Sequence, residues 1–328
     1  GLGDVYKRQA LNMELPYIDK LDRDLRDLAS TMYGATLSDE TLQAYRDQVL
    51  RHAKTSVDAN LDVTIDKQTL STEAGEVDVL LFNPHQSQQR RPVYLYMHGG
   101  GTISGGAHLD NQDNARLAHD LGCLVVSIDY HLAPETVFPG QLNECYGVLK
   151  WLVQHADALY IDVSRIAIGG SSAGGLLSAS LAQLAQDRHE IHIVFQNLHI
   201  PMLDIATTYQ RPANPYVGHY GWTYEMNAFA WQQYLGEAFE KTTLPPYAVP
   251  AQRQDVSQLP ATLITVGSLD LFVDEAIQYA QRLIQAGVST ELHVYPGLFH
   301  LGELIPEARV ARQIYHDRVN ALKRAFYD

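Results

Sequence analysis

Apolar positions recur at helical spacing from Leu15 to about Ala53, first as Ile18, Leu21, Leu25 and Leu28, then as Leu42, Tyr45 and Val49. Two N-terminal helices are expected, broken near Gly34, where a residue without a Cβ interrupts the period. At Leu61 the period changes. Val63 and Ile65, then Val77, Val79 and Leu81, alternate with polar residues around Glu73-Ala74-Gly75, which predicts an antiparallel opening.

Short apolar runs follow, at Val93 to Met97, Cys123 to Ile128, Ile166 to Ile168, Ile193 to Leu198, Thr262 to Val266 and Leu292 to Tyr295. Each leads into a glycine-bearing loop and a helical stretch. This rhythm predicts an α/β fold with a mostly parallel central sheet and helices on both faces. Functional groups of such sheets collect at the carboxyl ends of the strands. One segment breaks the rhythm, from Ile205 to about Ala251, rich in proline and in aromatics such as Tyr209, Tyr220, Trp222, Phe229, Trp231 and Tyr234. It reads as an inserted cap. One domain over residues 13–328 is expected, with a helical cap built from about 13–55 and 205–251. Residues 1–12 carry no pattern that runs on into the first helix and read as a leader foreign to the fold.

Composition narrows the function classes. At 328 residues and 46% hydrophobic content the chain can bury a large core. Its net charge of −14 opposes phosphate backbones and anionic bilayers, so neither nucleic acid nor a membrane is an expected partner. The apolar runs are too short or too interrupted to span a bilayer. Cys123 and Cys145 are the only cysteines, one in a run that reads as a buried strand and one in a helical stretch, so no disulfide framework is expected. The first twelve residues lack the apolar core of a secretory signal, and the cytoplasm is the expected compartment. Fourteen histidines invite a metal reading, but none pairs with another His, Cys or acid at ligand spacing. No metal and no cofactor are expected.

The chemistry concentrates in a few places. Gly170-Ser171-Ser172-Ala173-Gly174 is a G-x-S-x-G that follows the run ending at Ile168 and opens a helical one. A strand-to-helix elbow of this kind holds its serine, Ser172, in a strained turn with the hydroxyl presented, and flanking glycines are needed where strand and helix crowd together. Gly170, Gly174 and Gly175 meet that need, and the helix N-terminus favours developing negative charge. His98-Gly99-Gly100-Gly101 follows another strand, where successive glycines let backbone amides approach a substrate oxygen. An activated serine also needs a base held in the right tautomer by an acid, and around such elbows the partners follow in the order serine, acid, histidine. Asp270 stands just past the run ending at Val266 and His300 just past the run ending at Tyr295. Asp274, one helical turn after Asp270, is the alternative acid.

These segments resemble the bacterial hormone-sensitive-lipase-like branch of α/β-hydrolases, esterases with an H-G-G-G loop and a G-D-S-A-G-G elbow. The likeness extends from about Val79 to the final helix and includes Asp129-Tyr130-His131-Leu132-Ala133-Pro134-Glu135, similar to D-Y-R-L-A-P-E, together with Phe138-Pro139 and Pro201-Met202-Leu203-Asp204. Asp270 with Asp274-Glu275 is similar to D-P-L-R-D-E, and this likeness implies that Asp270 is the acid. Departures are Ser171 for aspartate, His131 for arginine, Leu271 for proline and Leu301 for glycine. The resemblance implies a carboxylic ester hydrolase with Ser172, His300 and Asp270 as triad. It further implies an oxyanion hole of the Gly100, Gly101 and Ala173 amides, with Asp129 and Glu135 bracing the H-G-G-G loop. A small-molecule ester is the expected partner. Amidase and deacetylase chemistry share the triad and stay open, as does the oligomeric state, a homodimer included. Plant gibberellin receptors resemble these enzymes but lack the catalytic histidine, which here is present as His300.

Overall fold

The computed structural model describes residues 14–53, 55–85 and 89–328; residues 1–12, expected to be a leader, lie outside them. The alternating segment after Leu61 forms the hairpin Val63–Thr72 (β1) and Gly75–Pro84 (β2), paired antiparallel with Thr72 opposite Gly75. Thr72 closes the turn, its hydroxyl donating to the Gly75 carbonyl at 2.7 Å and accepting from the Ala74 amide at 3.1 Å.

Six further strands follow: Arg91–Met97 (β3), Leu124–Asp129 (β4), Ile161–Ser171 (β5), Phe195–His199 (β6), Ala261–Gly267 (β7) and Thr290–Tyr295 (β8). All eight make one sheet in the order β1-β2-β4-β3-β5-β6-β7-β8, antiparallel at β1, β2 and β4 and parallel from there on. The α/β expectation is borne out. The sixth strand begins two residues later than the apolar run, because Val194 spends its amide on the Ile166 carbonyl before the ladder with β7 starts at Phe195.

Helices longer than one turn are Arg26–Thr31 (α1), Leu42–Arg51 (α2), Asn111–Leu121 (α3), Gly140–Gln154 (α4), Ala173–Arg188 (α5), Tyr224–Leu235 (α6), Val273–Gln285 (α7) and Arg309–Tyr327 (α8). Val93, Leu95 and Met97 of β3 join the core that contains Leu149 of α4 and Leu177 of α5. Tyr94 and Tyr96, on the opposite side of the same strand, join the core of α3 and α8 with Leu121 and Phe326. Covering both faces removes the sheet from water and explains why its strands read as continuous apolar runs.

The N-terminal segment departs from two plain helices. Its first part consists of 3-10 turns at Ile18–Lys20 and Arg23–Leu25 leading into α1. The break falls at Asp22, whose amide donates to the Gly297 carbonyl at 3.0 Å and whose carboxylate accepts from the Asp24 amide at 2.9 Å. The Asp24 carboxylate in turn accepts the Arg309 amide at 3.2 Å, 285 positions later in the chain. A helical period cannot reveal such a stitch, since the partner loop lies at the other end of the sequence. Leu21, Leu25 and Ala29 pack with Tyr220, Leu298 and Phe299. Residues 205–251 lie against the same segment: Tyr33 bridges Tyr220, the Gly221 amide donates to Met32 and the Thr223 hydroxyl to Ala35. Of the aromatic stripe, Trp231 and Tyr234 are fully buried core.

Among the described residues no helix is long and apolar enough to cross a membrane. Nor do they hold a group of three or more His, Cys, Asp or Glu side chains arranged for a metal ion. Cys123 and Cys145 are both buried and free. Because Leu25 is wholly buried against Leu298 and Phe299, Leu25→Ala is expected to lower stability by about 2–5 kcal/mol. Urea denaturation measures it; a loss under about 1 kcal/mol would show that the N-terminal segment docks only loosely.

Candidate active site

The elbow is made by crowding. At Gly174 a Cβ would sit 1.9 Å from the Met97 carbonyl oxygen, and at Gly170 2.2 Å from the carbonyl of Gly174 itself. Without side chains there, α5 starts directly against the ends of β3 and β5. Ser172 between them adopts φ 57°, ψ −112°, a conformation costly for any residue with a Cβ. Its amide is held by the His199 carbonyl at 2.8 Å.

Three side chains from three strand ends meet at this turn. Ser172 Oγ lies 2.9 Å from His300 Nε2, and His300 Nδ1 lies 2.7 Å from Asp270 Oδ2. The other oxygen of Asp270 accepts the Phe272 amide at 2.8 Å. An ionised carboxylate only accepts, so Nδ1 carries the hydrogen and Nε2 is left free to accept from the serine. All three groups are at most 3% exposed. The Phe272 ring stands edge-on to His300, with centroids 5.1 Å apart. Asp274 belongs to the first turn of α7, and the bond to His300 goes to Asp270 instead. Glu275 beside it turns inward, accepting the Leu203 and Asp204 amides and the Thr207 hydroxyl at 2.6, 2.8 and 2.9 Å. Burial pushes its carboxyl up to about 8 against the pull of these donors.

The glycine loop approaches Ser172 from β3. Gly100 and Gly101 have φ of 121° and 66°, which a side chain would resist. Their amides make none of the backbone hydrogen bonds of the turn, whereas the Gly100 carbonyl accepts from Ile103 and Ser104. Ala173, first residue of α5, has no intrahelical acceptor for its amide either. Gly99 passes so close that a Cβ would meet the Ser171 carbonyl at 2.9 Å. His98 stacks on Tyr130 at 4.2 Å, and Tyr130 donates its hydroxyl to the His98 carbonyl at 2.7 Å. Burial depresses the His98 imidazole to about 4, outweighing its bond to Gly99; the neutral ring donates through Nδ1 to the Gly99 carbonyl at 2.6 Å. Asp129 accepts the Ala107 amide at 3.1 Å.

Arg46 escaped the sequence reading, and Trp222 was legible there as one aromatic of the 205–251 segment among several. Arg46 of α2 donates to both oxygens of Glu135 at 2.8 and 2.9 Å, to the Ile103 carbonyl at 2.6 Å and to the Ala133 carbonyl at 2.8 Å. One guanidinium thereby ties the N-terminal segment to the glycine loop and to the Asp129–Glu135 stretch. In sequence Arg46 is one cation on a helical face, without a signal of its own. Trp222, from the inserted segment, approaches the loop from the other side, so close that a Cβ on Gly101 would meet its ring at 2.6 Å. Its ring lies 6.2 Å from that of His300, and its indole N–H is fixed by Asn227 at 3.3 Å.

The model of one family, described by its alpha/beta hydrolase fold, matches residues 94–302. The chain belongs to that family. Its hormone-sensitive-lipase-like branch, expected from the motifs, is the one supported. Carboxylesterase NlhH of Mycobacterium tuberculosis is 32% identical over 293 residues, 87% of this chain and 88% of the relative. Ethyl acetate hydrolase of Pseudomonas putida is 33% identical over 252 residues, 73% of this chain and 77% of that one. Among solved structures, a bacterial heroin esterase superposes with a TM-score of 0.87 at 33% identity, covering 95% of this chain and 99% of that one. The match thus embraces the elbow, the glycine loop and the segments carrying Asp270 and His300 in this alpha/beta hydrolase.

The roles of Arg46 and Glu135 separate by burial. Arg46→Ala frees two carbonyls and opens a cavity, and is expected to cost about 1–3 kcal/mol. Glu135→Gln, at a side chain 63% exposed, is expected to cost under about 1 kcal/mol. Denaturant midpoints of the two variants test this; equal losses would make the ion pair, rather than the carbonyl contacts, the basis of the tie.

Proposed function

We propose that the protein is a serine carboxylesterase acting on short-chain acyl esters of small alcohols. The observation that carries this reading is the buried chain Ser172 Oγ, His300, Asp270, with links of 2.9 and 2.7 Å at a strained strand-to-helix elbow. Relatives named carboxylesterase, ethyl acetate hydrolase and heroin esterase support the ester class.

In this mechanism His300 Nε2 takes the Ser172 proton as Oγ attacks the ester carbonyl. The carbonyl oxygen becomes an oxyanion received by the amides of Gly100, Gly101 and Ala173, groups without backbone partners in the turn. Asp270 holds the tautomer and stabilises the imidazolium. His300 then gives the proton to the departing alcohol, and a water molecule, deprotonated by the same imidazole, releases the acid from the acyl-serine. Glycine amides suit this task because they are set before substrate arrives and need no reorganisation as charge develops.

Pocket size follows from what covers the triad. The N-terminal segment and residues 205–251 act as a cap, and Trp222 walls the space beside Gly101 and His300. Each buried methylene is worth about 0.8 kcal/mol until the acyl tail meets this wall, after which extra carbons cause overpacking.

Ser172→Ala is expected to reduce turnover on the order of 10⁶-fold, with Ser171→Ala far milder. Asp270→Asn should cost about 10⁴-fold and Asp274→Asn little. An organophosphate should add one group, at Ser172, located by peptide mass analysis. Comparable losses from Ser171→Ala, or a greater loss from Asp274→Asn, would reassign the site. Across p-nitrophenyl esters kcat/KM should peak between acetyl and hexanoyl, and Trp222→Ala should move the peak to longer chains. An optimum already at laurate in the unaltered protein would refute a closed pocket. Assays on an anilide and an acetylated sugar, run beside the esters, separate esterase from amidase and deacetylase; the ester should be fastest.

A further inference from the structure

Beneath the triad, on the face of the sheet covered by α3 and α8, lies a second chain of buried polar groups that the mechanism above does not use. Three residues after His300, in the turn Gly302–Leu304, Glu303 places Oε1 2.8 Å from His199 Nε2. The opposite ring nitrogen, Nδ1, lies 2.8 Å from the Thr265 hydroxyl. His199 ends β6 and Thr265 stands opposite it on β7. The arrangement repeats the logic of the triad in mirror order: a carboxylate that only accepts draws the hydrogen to Nε2, leaving Nδ1 to accept from the threonine hydroxyl.

Two features connect this assembly to catalysis. The backbone carbonyl of His199 is the acceptor of the Ser172 amide, at 2.8 Å, so fixing the His199 ring fixes the base of the elbow. Glu303 shares a short loop with His300, and its second oxygen, Oε2, is buried with no hydrogen-bond partner among the described residues. Burial by itself would raise the Glu303 carboxyl; the His199 ring, its hydrogen bond and the nearby His300 outweigh burial and hold it below the ordinary carboxylate range. Carboxylates without a full set of donors are not kept buried and ionised unless positive charge stands nearby. His199 is the nearer source of such charge, and the imidazolium of His300 formed during turnover adds to it.

We propose that Glu303 is a positioning residue for the catalytic base: clamped by His199, whose other ring nitrogen is held by Thr265, it secures the floor of the elbow and supplies a second negative charge favouring the imidazolium of His300. The proposal rests on the reading of His300 as base. Other charged groups bear on the same loop. Asp270 faces His300 directly. From the covering helices, Asp110 ahead of α3 is bonded to Tyr96 at 2.5 Å, and Arg318 of α8 stands 3.9 Å from Asp113. None of these is bonded to Glu303 or His199.

The test is the pH dependence of kcat/KM, whose acid limb reports protonation of the free enzyme's base. A nearby negative charge favours the protonated imidazole, so removing it moves the limb to lower pH. Glu303→Gln retains an acceptor for His199 but loses the charge. Its limb is expected about one pH unit below that of the parent protein, with kcat about tenfold lower and KM within about twofold. Glu303→Asp, which keeps the charge, should hold the limb near its original position even if the rate falls. Should Glu303→Gln not fold, the double variant His199→Leu with Glu303→Met removes both polar partners together, a change buried pairs tolerate better than losing one; the same downward shift is expected. A limb within about 0.2 unit of the parent in either folded variant overturns the proposal. His300→Ala separates the two readings: inactivity there beside an unmoved limb in the Glu303 variants leaves the triad standing and removes only Glu303, whereas persisting activity removes the base assignment itself.

Discussion

Helix α5 reaches the end of β3 because position 174 has no side chain, and most of the site is a consequence of that approach. With a Cβ excluded by the Met97 carbonyl 1.9 Å away, the chain must turn from strand to helix within Ser172, and this forces the unusual backbone angles there. The amide of Ser172 is thereby delivered to His199 and its hydroxyl to His300. Any side chain at 174 would push α5 away from β3, and Ser172 would be carried away from His300 with it. Backbone packing density, rather than the attraction between the three polar side chains, is the constraint that sets this geometry.

Around that contact the polar parts are arranged in two tiers. The upper tier is shared between the sheet and the segments that cover it: Arg46 reaches the carbonyls of Ile103 and Ala133 from one side, while Trp222 closes on Gly101 from the other. Glycine amides can be left without backbone partners here because the turn that contains them is fixed through its carbonyls instead. The lower tier lies among the tyrosines of the α3 and α8 face, where Asn197 meets the Tyr94 hydroxyl and His199 meets Glu303. Directional bonds between buried polar groups such as these favour one arrangement of the strand ends over others.

What could be read in advance followed from local physics. The period of two around the Glu73-Ala74-Gly75 turn, the two-faced apolar strands and the glycines flanking Ser172 each report an interaction within a few residues, so the hairpin, the sheet and the elbow were legible. The choice between Asp270 and Asp274 was not settled by spacing, since both follow β7 closely; a family likeness pointed to Asp270, and the bond to His300 runs to it. Arg46 and Glu303 left no such trace, and Trp222 stood among the aromatics of residues 205–251 without a mark that set it apart. Each acts across a long separation, 89 positions between Arg46 and Glu135 and 104 between His199 and Glu303, and an arginine, a tryptophan or a glutamate on a helix or in a loop has many bland uses. The shape of the first helix was hidden for the same reason, its break at Asp22 being imposed by Gly297.

That last stitch bears on how firmly the N-terminal segment and the loop of His300 depend on each other. The Asp22 amide closes on Gly297, in the turn that leads to His300, and the Asp24 carboxylate on Arg309, 285 positions downstream. Leu21 and Leu25 find apolar partners, Leu298 and Phe299, in the loop that follows β8, so the segment cannot bury them by folding on itself. The residues flanking His300 thus serve as the socket of the N-terminal segment, so a local loosening of the one bares the apolar side chains of the other.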